Sequence, residues 1–160
     1  MKTKIILIGK QGSGKNHLVR ELAAFGIYAP SYTTRPKRAG EIDGEDYIFT
    51  TASYMLTNYI AEAMIFNNYY YFTTQRQYNK CNLFIMSPGG IKRNKHTIKF
   101  LSKEDRDKAI IILVKAPFFT RMKRLRQRGW SIKKIISSVI NDYKLFKGFT
   151  DYDKIIISNN

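Results

Sequence analysis

The chain has 160 residues, of which 44% are hydrophobic, and these values predict one globular domain with a sizeable core. Its single cysteine, Cys81, rules out an internal disulfide and fits a cytoplasmic protein, and no apolar run is long enough to cross a bilayer. The net charge of +16 favours an anionic partner. Nucleic acid is the less favoured partner of this kind, because the lysines are spread along the chain and no nucleic-acid-binding motif accompanies them.

Short apolar runs alternate with longer amphipathic ones along the chain. The apolar runs predict strands over Lys4–Ile8, Ile27–Ala29, Tyr47–Thr50, Tyr69–Thr73, Asn82–Met86, Ala109–Lys115 and Lys154–Ser158. Helical spacing predicts helices over Asn16–Phe25, Ala52–Met64, Phe118–Arg128 and Ile132–Phe146. This alternation predicts an α/β fold, in which helices flank a parallel sheet and the crossovers are right-handed.

The polar segment after the second strand breaks the alternation. We therefore predict a single domain over residues 1–160, with a core formed by residues 1–30 and 74–160 and a small inserted subdomain at about 31–73. The residues at about 126–136, which include the junction between the last two helices, are predicted to form a mobile lid.

A glycine-rich loop, Gly9–Lys15, follows the first strand and precedes the first helix. Its pattern, G-x-x-x-x-G-K, is that of a P-loop, in which backbone N–H groups and a helix N-terminus hold phosphates. Lys15 would reach the β- and γ-phosphates of a nucleoside triphosphate. A plain turn between strand and helix is the structural alternative. The predicted ATP-binding residues are Gly9, Gly12, Ser13, Gly14, Lys15 and Asn16.

The residue after Lys15 is Asn16, where the P-loop pattern has Ser or Thr to bind Mg²⁺. An amide oxygen can ligate Mg²⁺, but it must be oriented to suit the tight octahedral geometry of that ion. Asn16 is therefore a weak candidate for a metal ligand.

A second motif begins at Ser31. Arg35 and Arg38 offer paired donors suited to a monophosphate, and Glu41 could accept hydrogen bonds from the N1–H and 2-amino groups of guanine. A solvated charged loop is the alternative interpretation of these residues alone.

The run from Ser31 to Phe49 resembles the signature of guanylate kinases, T-T-R-P-x-R-x-G-E-x-D-G-x-D-Y-x-F. The similarity extends over nearly the whole chain, through the lid-helix sequence Arg124–Gly129 and a final strand that reads D-Y-D-K-I-I-I. It implies a P-loop NTPase-type sheet with an NMP-binding insertion and a lid. It also implies transfer of the γ-phosphate of ATP to GMP or dGMP with Mg²⁺.

The resemblance assigns roles to individual residues. It implies a GMP site made of Ser31, Arg35, Arg38, Glu41, Tyr47, Glu62 and Thr73, in which Arg35, Arg38 and Tyr47 hold the phosphate, Ser31 and Glu41 lie near the base, and Glu62 and Thr73 contact the base or ribose side. It implies catalytic roles for Lys15, Arg38, Arg124 and Arg128.

Three departures from the family pattern stand out. No acid follows the strand Asn82–Met86, where the family carries an aspartate, and Ser138 or Val139 stands where a further arginine is expected. The sequence ends at Asn160, where the family adds a helix, so an apolar patch that a homodimer could cover is expected.

Three hypotheses stay open at this stage. The leading one is a guanylate kinase. The departures favour a binding module that has lost catalysis, whereas the intact acceptor motif and Lys15 oppose it. The third is a related kinase with another acceptor, against which Glu41 and Glu62 argue.

Overall fold

The computed structural model describes residues 3–158, which form two five-stranded sheets and seven helices. The strands are β1 (Lys4–Ile8), β2 (Tyr28–Ala29), β3 (Tyr32–Thr33), β4 (Ile48–Phe49), β5 (Ile60–Phe66), β6 (Tyr69–Thr74), β7 (Leu83–Ile85), β8 (Thr97–Lys99), β9 (Ala109–Lys115) and β10 (Lys154–Ile157). The helices are α1 (Lys15–Leu22), α2 (Ala52–Leu56), α3 (Gln75–Lys80), α4 (Pro88–Ile91), α5 (Lys103–Asp107), α6 (Phe118–Gln127) and α7 (Ile132–Phe146).

The first sheet is entirely parallel, in the order β10-β9-β1-β7-β2. Alternate residues of β1 point to opposite faces, as strand geometry requires. Ile6 packs on one face in a cluster with Tyr78 of α3, and Leu7 packs on the other with Val19 of α1. Burial on both faces explains the unbroken apolar runs of β1 and β9. The predicted α/β fold with helices flanking a parallel sheet is confirmed.

The second sheet is mixed, in the order β4-β3-β6-β5-β8. Its main feature is a hairpin in which β5 and β6 are joined by Asn67 and Asn68. Both residues have positive φ, 49° and 64°, which a two-residue hairpin turn requires and asparagine tolerates. The sheet also includes β8, which lies outside the residues 31–73 expected to form an insertion.

The predicted helix over Ala52–Met64 is wrong beyond its first half. Helix α2 ends at Leu56, where the side chains of Thr57 and Asn58 donate hydrogen bonds to the carbonyls of Ser53 and Tyr54. These side chains satisfy the last carbonyls of the helix. The following residues form β5, because they pair with β6 over its whole length.

The first helix is shorter than predicted. It ends at Leu22, so Phe25 lies beyond it and is 84% exposed, while Val19 supplies the buried contact. Within residues 3–158, no helix has the length and apolar character needed to cross a membrane.

Candidate functional site

The glycine-rich loop connects β1 to α1 at the carboxyl edge of the parallel sheet. Gly12 and Gly14 have φ values of 76° and 94°, which disfavour other residues. At Gly9, an added Cβ would lie 2.4 Å from the carbonyl oxygen of Val114, so the backbone fits only without a side chain. The loop is thus packed against the neighbouring strand β9, and its position relative to the sheet is fixed.

Lys15 folds back over the loop that precedes it. Its Nζ donates hydrogen bonds to the carbonyl oxygens of Gly9, at 2.7 Å, and Lys10, at 3.1 Å. Burial lowers the pKa of Lys15 to about 8, and Asp142 partly opposes this effect. The amine is therefore held inside the loop, where phosphates are expected to bind.

Two of the predicted lid arginines lie beside this loop. Arg124 donates one hydrogen bond to the carbonyl oxygen of Gly12 and another to the hydroxyl of Ser158, both at 3.0 Å. Arg128 is exposed, and its charge contributes to the lowered pKa of Lys15. The structure therefore brings Lys15 and Arg124 to the same loop, and the charge of Arg128 acts on Lys15.

Arg35 is the buried centre of the second motif, with 5% of its surface exposed. Its guanidinium makes two hydrogen bonds to the carboxylate of Glu41, at 2.7 and 2.5 Å, and lies over the rings of Tyr47 and Phe49. Burial opposes ionisation, but the hydrogen bonds of Arg35 and of the Arg38 backbone N–H outweigh it and lower the pKa of Glu41. The carboxylate of Glu41 thus holds an arginine, whereas we expected it near a base.

Arg38 lies at the surface and contacts the lid segment. Its guanidinium is 5.7 Å from the ring centre of Trp130, and Nζ of Lys134 is 4.3 Å from the same ring. Only residues 128–131 separate α6 from α7. This connection is firmly capped: Gly129, at a φ of 75°, precedes Trp130, whose N–H donates to the Leu125 carbonyl.

Glu62 and Thr73 form a buried polar pair on β5 and β6. The hydroxyl of Thr73 donates to Glu62 at 2.8 Å, and the two residues are directly paired across the hairpin. Burial raises the pKa of Glu62 to about 7, although the Thr73 hydrogen bond opposes the shift. The carboxylate lies so close to Gly90 that a Cβ there would be 2.6 Å from it.

The remaining residues of the second motif connect the two sheets. Ser31 donates to the carbonyl oxygen of Ile85 at the end of β7, at 3.2 Å. The ring of Tyr47 meets that of Tyr71 edge-on, with centres 6.0 Å apart, and burial raises the pKa of Tyr47. Ser31 therefore sits at the junction of the sheets, and Tyr47 is a neutral hydroxyl beside Arg35.

Comparison with known proteins agrees with the resemblance found in the sequence. A model of the guanylate kinase family matches residues 1–160. This chain belongs to the guanylate kinase family. It is 26% identical to the guanylate kinase of Hydrogenovibrio crunogenus over 97% of this chain and 79% of that protein, and 26% identical to that of Psychrobacter arcticus over 97% and 78%.

Two further similarities mark the range of the guanylate kinase family. The chain is 29% identical to MAGUK p55 subfamily member 7 of Xenopus tropicalis over 93% of this chain, but it spans only 26% of that longer protein. The crystal structure of guanylate kinase from Anaplasma phagocytophilum covers 99% of this chain, with a TM-score of 0.56 and 17% identity. At that identity it supports the fold alone.

Guanylate kinases use ATP and typically Mg²⁺, and the residues beside the loop are compatible with both. The amide of Asn16 donates to the carboxylate of Asp46 at 3.3 Å, which brings two oxygen-bearing side chains to the start of α1. Within residues 3–158, no three His, Cys, Asp or Glu side chains cluster as a metal site. Mg²⁺ that binds mainly through phosphates and water needs only one or two protein oxygens, so these donors fit the ion.

Two buried hydroxyls have no hydrogen-bond partner within the described part of the chain. One is Ser13, inside the phosphate loop, and the other is Ser87, just after β7. Buried hydroxyls of this kind usually have partners. Both residues flank the region where nucleotides are expected to bind.

Sequence reasoning missed four residues of this region: Arg121, Asp142, Trp130 and Asp46. Arg121 and Asp142 form a buried ion pair that contacts the phosphate loop. One signal was available, because Asp142 is the only acidic residue between Lys108 and Thr150. A lone acid in so basic a stretch indicates a specific partner.

Proposed function

We propose that this protein is an active guanylate kinase that transfers the γ-phosphate of ATP to GMP or dGMP. The observation that supports this most directly is the approach of the two phosphate-binding regions to each other. Asn16, next to the phosphate loop, bonds to Asp46 of the second motif, and Arg38 of that motif lies against Trp130, two residues from Arg128. A donor phosphate and an acceptor phosphate would then share one positively charged space.

Phosphoryl transfer requires little covalent work from the protein, so position and charge are what the residues supply. In this proposal the loop amides and Lys15 hold the donor phosphates. Arg35, Arg38 and Tyr47 hold the acceptor phosphate in line with them. Arg124 and Arg128 neutralise charge that develops on the transferred group. Arg35 enters the site already oriented, because Glu41 fixes its guanidinium.

The choice of base rests on Glu62 and Thr73. An ionised Glu62 accepts hydrogen bonds from the N1–H and 2-amino group of guanine, and adenine does not present that pair of donors. Because Glu62 is buried, an unmatched base would leave its charge unpaired, which costs binding energy. This pair therefore favours guanine over adenine.

In the same proposal ATP is the co-substrate and Mg²⁺ is held by phosphate oxygens with help from Asn16 and Asp46. The ion would supply charge neutralisation between the β- and γ-phosphates. The segment at 31–73 acts as the acceptor-binding subdomain, together with β8, and the residues around 126–136 act as the lid.

An ADP-release assay with ATP, Mg²⁺ and each of GMP, dGMP, AMP, CMP and UMP tests the proposal. Turnover with GMP, or with GMP and dGMP, is the expected result. No turnover with any acceptor, while GMP still binds in a calorimeter, would replace the kinase with a nucleotide-binding module. Turnover with another acceptor alone would contradict the role given to Glu62.

Arg38→Ala gives a second test of the acceptor site. We expect it to raise KM for GMP at least tenfold, because a charged hydrogen-bond donor to phosphate is lost, and to change KM for ATP little. Lys37→Ala, one residue away on the same exposed loop, is the matched control. Equal increases in the two KM values of Arg38→Ala would remove Arg38 from the acceptor site.

A further inference from the structure

The backbone of one phosphate-loop residue, Gln11, is held by two side chains from distant helices. Its N–H donates to both carboxylate oxygens of Asp142 on α7, at 3.2 and 3.1 Å. Its carbonyl oxygen accepts a hydrogen bond from Nε of Arg121 on α6, at 2.8 Å. Arg121 and Asp142 also bond directly to each other. The three residues thus close a ring of hydrogen bonds that holds the backbone N–H and the backbone carbonyl of one residue, Gln11.

This ring is buried and tightly packed. The side chains of Arg121 and Asp142 are each 7% exposed. The loop approaches α6 so closely at Gly12 that a Cβ would lie 2.9 Å from the Arg121 carbonyl oxygen. The loop, α6 and α7 therefore meet in one buried, closely packed contact.

Fold stability alone does not account for such a pair. Two buried charges lose their hydration, and replacing both with apolar residues often leaves stability unchanged or increases it. What an apolar pair cannot do is bond to the N–H and the carbonyl of Gln11. The specific contribution of Arg121 and Asp142 is therefore to fix the loop backbone.

We propose that Arg121 and Asp142 are positioning residues that hold the phosphate loop in the conformation that binds a nucleoside triphosphate. The inference rests on the proposed function, since it takes the loop to be the ATP site. A loop that is ordered before binding loses less conformational freedom when phosphates arrive, so affinity is higher. Asp142 has a further effect on the same site, because its charge favours the protonated form of Lys15.

Substituting both residues separates the effect of the ion pair on stability from its effect on the phosphate loop. Asp142→Ala or Arg121→Leu leaves an unpaired buried charge, so each is expected to lower the melting temperature. Arg121→Leu/Asp142→Ala removes both charges and is expected to recover most of that loss. The affinity for ATP should not recover, because each single variant removes one partner of the Gln11 backbone and the double variant removes both.

Binding titrations measure the effect on ATP affinity without relying on turnover. We would titrate each variant with a fluorescent ATP analogue and, separately, with GMP in a calorimeter. The expected result is a Kd for the ATP analogue at least tenfold above wild type in the double variant, with the Kd for GMP within twofold. Arg106→Leu/Asp151→Ala is the matched control, because this partly buried ion pair bonds at 2.7 Å but makes no contact with the loop. It should change neither Kd.

The outcomes distinguish the inference from the proposed function. If the double variant binds the ATP analogue as wild type does, the positioning role is overturned while the kinase assignment stands. If wild type itself does not bind the analogue, both are overturned. If wild type binds it and phosphorylates an acceptor other than GMP, the acceptor assignment fails and the positioning role is retained. Should the single variants fail to fold, the double variant carries the test.

Discussion

Glu62 is a buried carboxyl group that forms no salt bridge within residues 3–158, and Thr73 is its one hydrogen-bond partner there. Without a ligand its pKa rises from 4.5 to about 7, since burial penalises the charged form. A bound guanine would supply the N–H groups that stabilise the carboxylate. The same residue therefore makes the ligand-free fold and the affinity for GMP depend on pH in opposite directions.

We predict that the apparent affinity for GMP increases about tenfold between pH 6 and pH 8, as Glu62 ionises. Calorimetric titrations across this range check the slope, and Glu62→Gln should abolish it while weakening GMP binding. The affinity of the ATP site for an ATP analogue serves as the control. A slope of the same size in Glu62→Gln would show that another group titrates.

The stability of the ligand-free protein should change in the other direction. The folded-state pKa of Glu62 is raised, so its contribution is fully present below about 4.5 and is lost as pH rises through about 7. Relative to Glu62→Gln, wild type should therefore lose several degrees of melting temperature between pH 5 and pH 8. Thermal unfolding of both proteins at the two pH values provides the measurement. A constant difference would mean that Glu62 is not buried in its protonated form.

The contacts of Lys15 also allow a prediction, which concerns the rate of phosphoryl transfer and the stability of the fold. Lys15→Ala should lower kcat by about 10²–10³-fold, since charge stabilisation in the transition state is lost. The fold should persist, because the side chain bonds only to two loop carbonyls in the described structure. Steady-state kinetics and circular dichroism test the two statements. Substantial turnover by this variant would remove Lys15 from catalysis.

At the scale of elements, the connection between α6 and α7 contacts Arg38 of the second motif through the ring of Trp130. Trp130 is the only tryptophan of the chain, and the cations of Arg38 and Lys134 both contact its ring. Such contacts are worth about 0.5–1 kcal/mol at partly exposed sites. The ring is thus both a link between the two segments and an intrinsic fluorophore.

We predict that GMP changes the emission of Trp130, because a phosphate bound to Arg38 alters the charge next to the ring. ATP alone should have a smaller effect. Trp130→Ala should raise KM for GMP about two- to fivefold, and Trp130→Phe, which keeps an aromatic face, should have less effect. A GMP-induced change of equal size in Arg38→Ala would show that the change in emission does not depend on the contact between Arg38 and Trp130.

Elements defined by local pattern were predictable from the sequence, and elements defined by distant partners were not. Strands Lys4–Ile8 and Ala109–Lys115 and helix Ile132–Phe146 have the predicted bounds. The residues after Leu56 have helix-forming Ala, Glu and Met, but their pairing with β6 decides their conformation. The pair Asn67-Asn68 between two apolar and aromatic runs was the signal for that hairpin.

In the candidate site, too, residues within local motifs were predictable from the sequence and contacts between distant residues were not. The glycine-rich loop and the arginines Arg35 and Arg38 lie in contiguous motifs, so they could be selected as candidates from the sequence. The contact between Gln11 and Asp142 joins residues 131 positions apart, and no local pattern encodes it. The pairing of Glu41 with Arg35 is local in sequence, yet it was missed because the charge of Glu41 was assigned to a base.

At the scale of the whole molecule, the chain has 28 Lys and Arg residues and a net charge of +16, and the proposed nucleotide site uses only a few of these cations. Nucleotides carry negative charge, so the field of the protein should increase their rate of association, and salt should weaken this effect. We predict that kcat/KM for GMP falls several-fold between 50 and 300 mM KCl at nearly constant kcat. Repeating the series with tetramethylammonium chloride controls for specific ion effects. A kcat/KM that does not respond to either salt would show that the excess charge has no part in substrate capture.

The parallel sheet ends at β10, whose residues Ile155, Ile156 and Ile157 are 45%, 37% and 64% exposed. Within the described residues, no strand pairs with its outer edge. Unpaired backbone groups beside exposed isoleucines form a template on which another copy can add. Repulsion between highly charged copies opposes this, and added electrolyte screens the repulsion. The colloidal behaviour of the protein follows from that balance: concentrated stocks keep best in dilute buffer, and high salt promotes their precipitation.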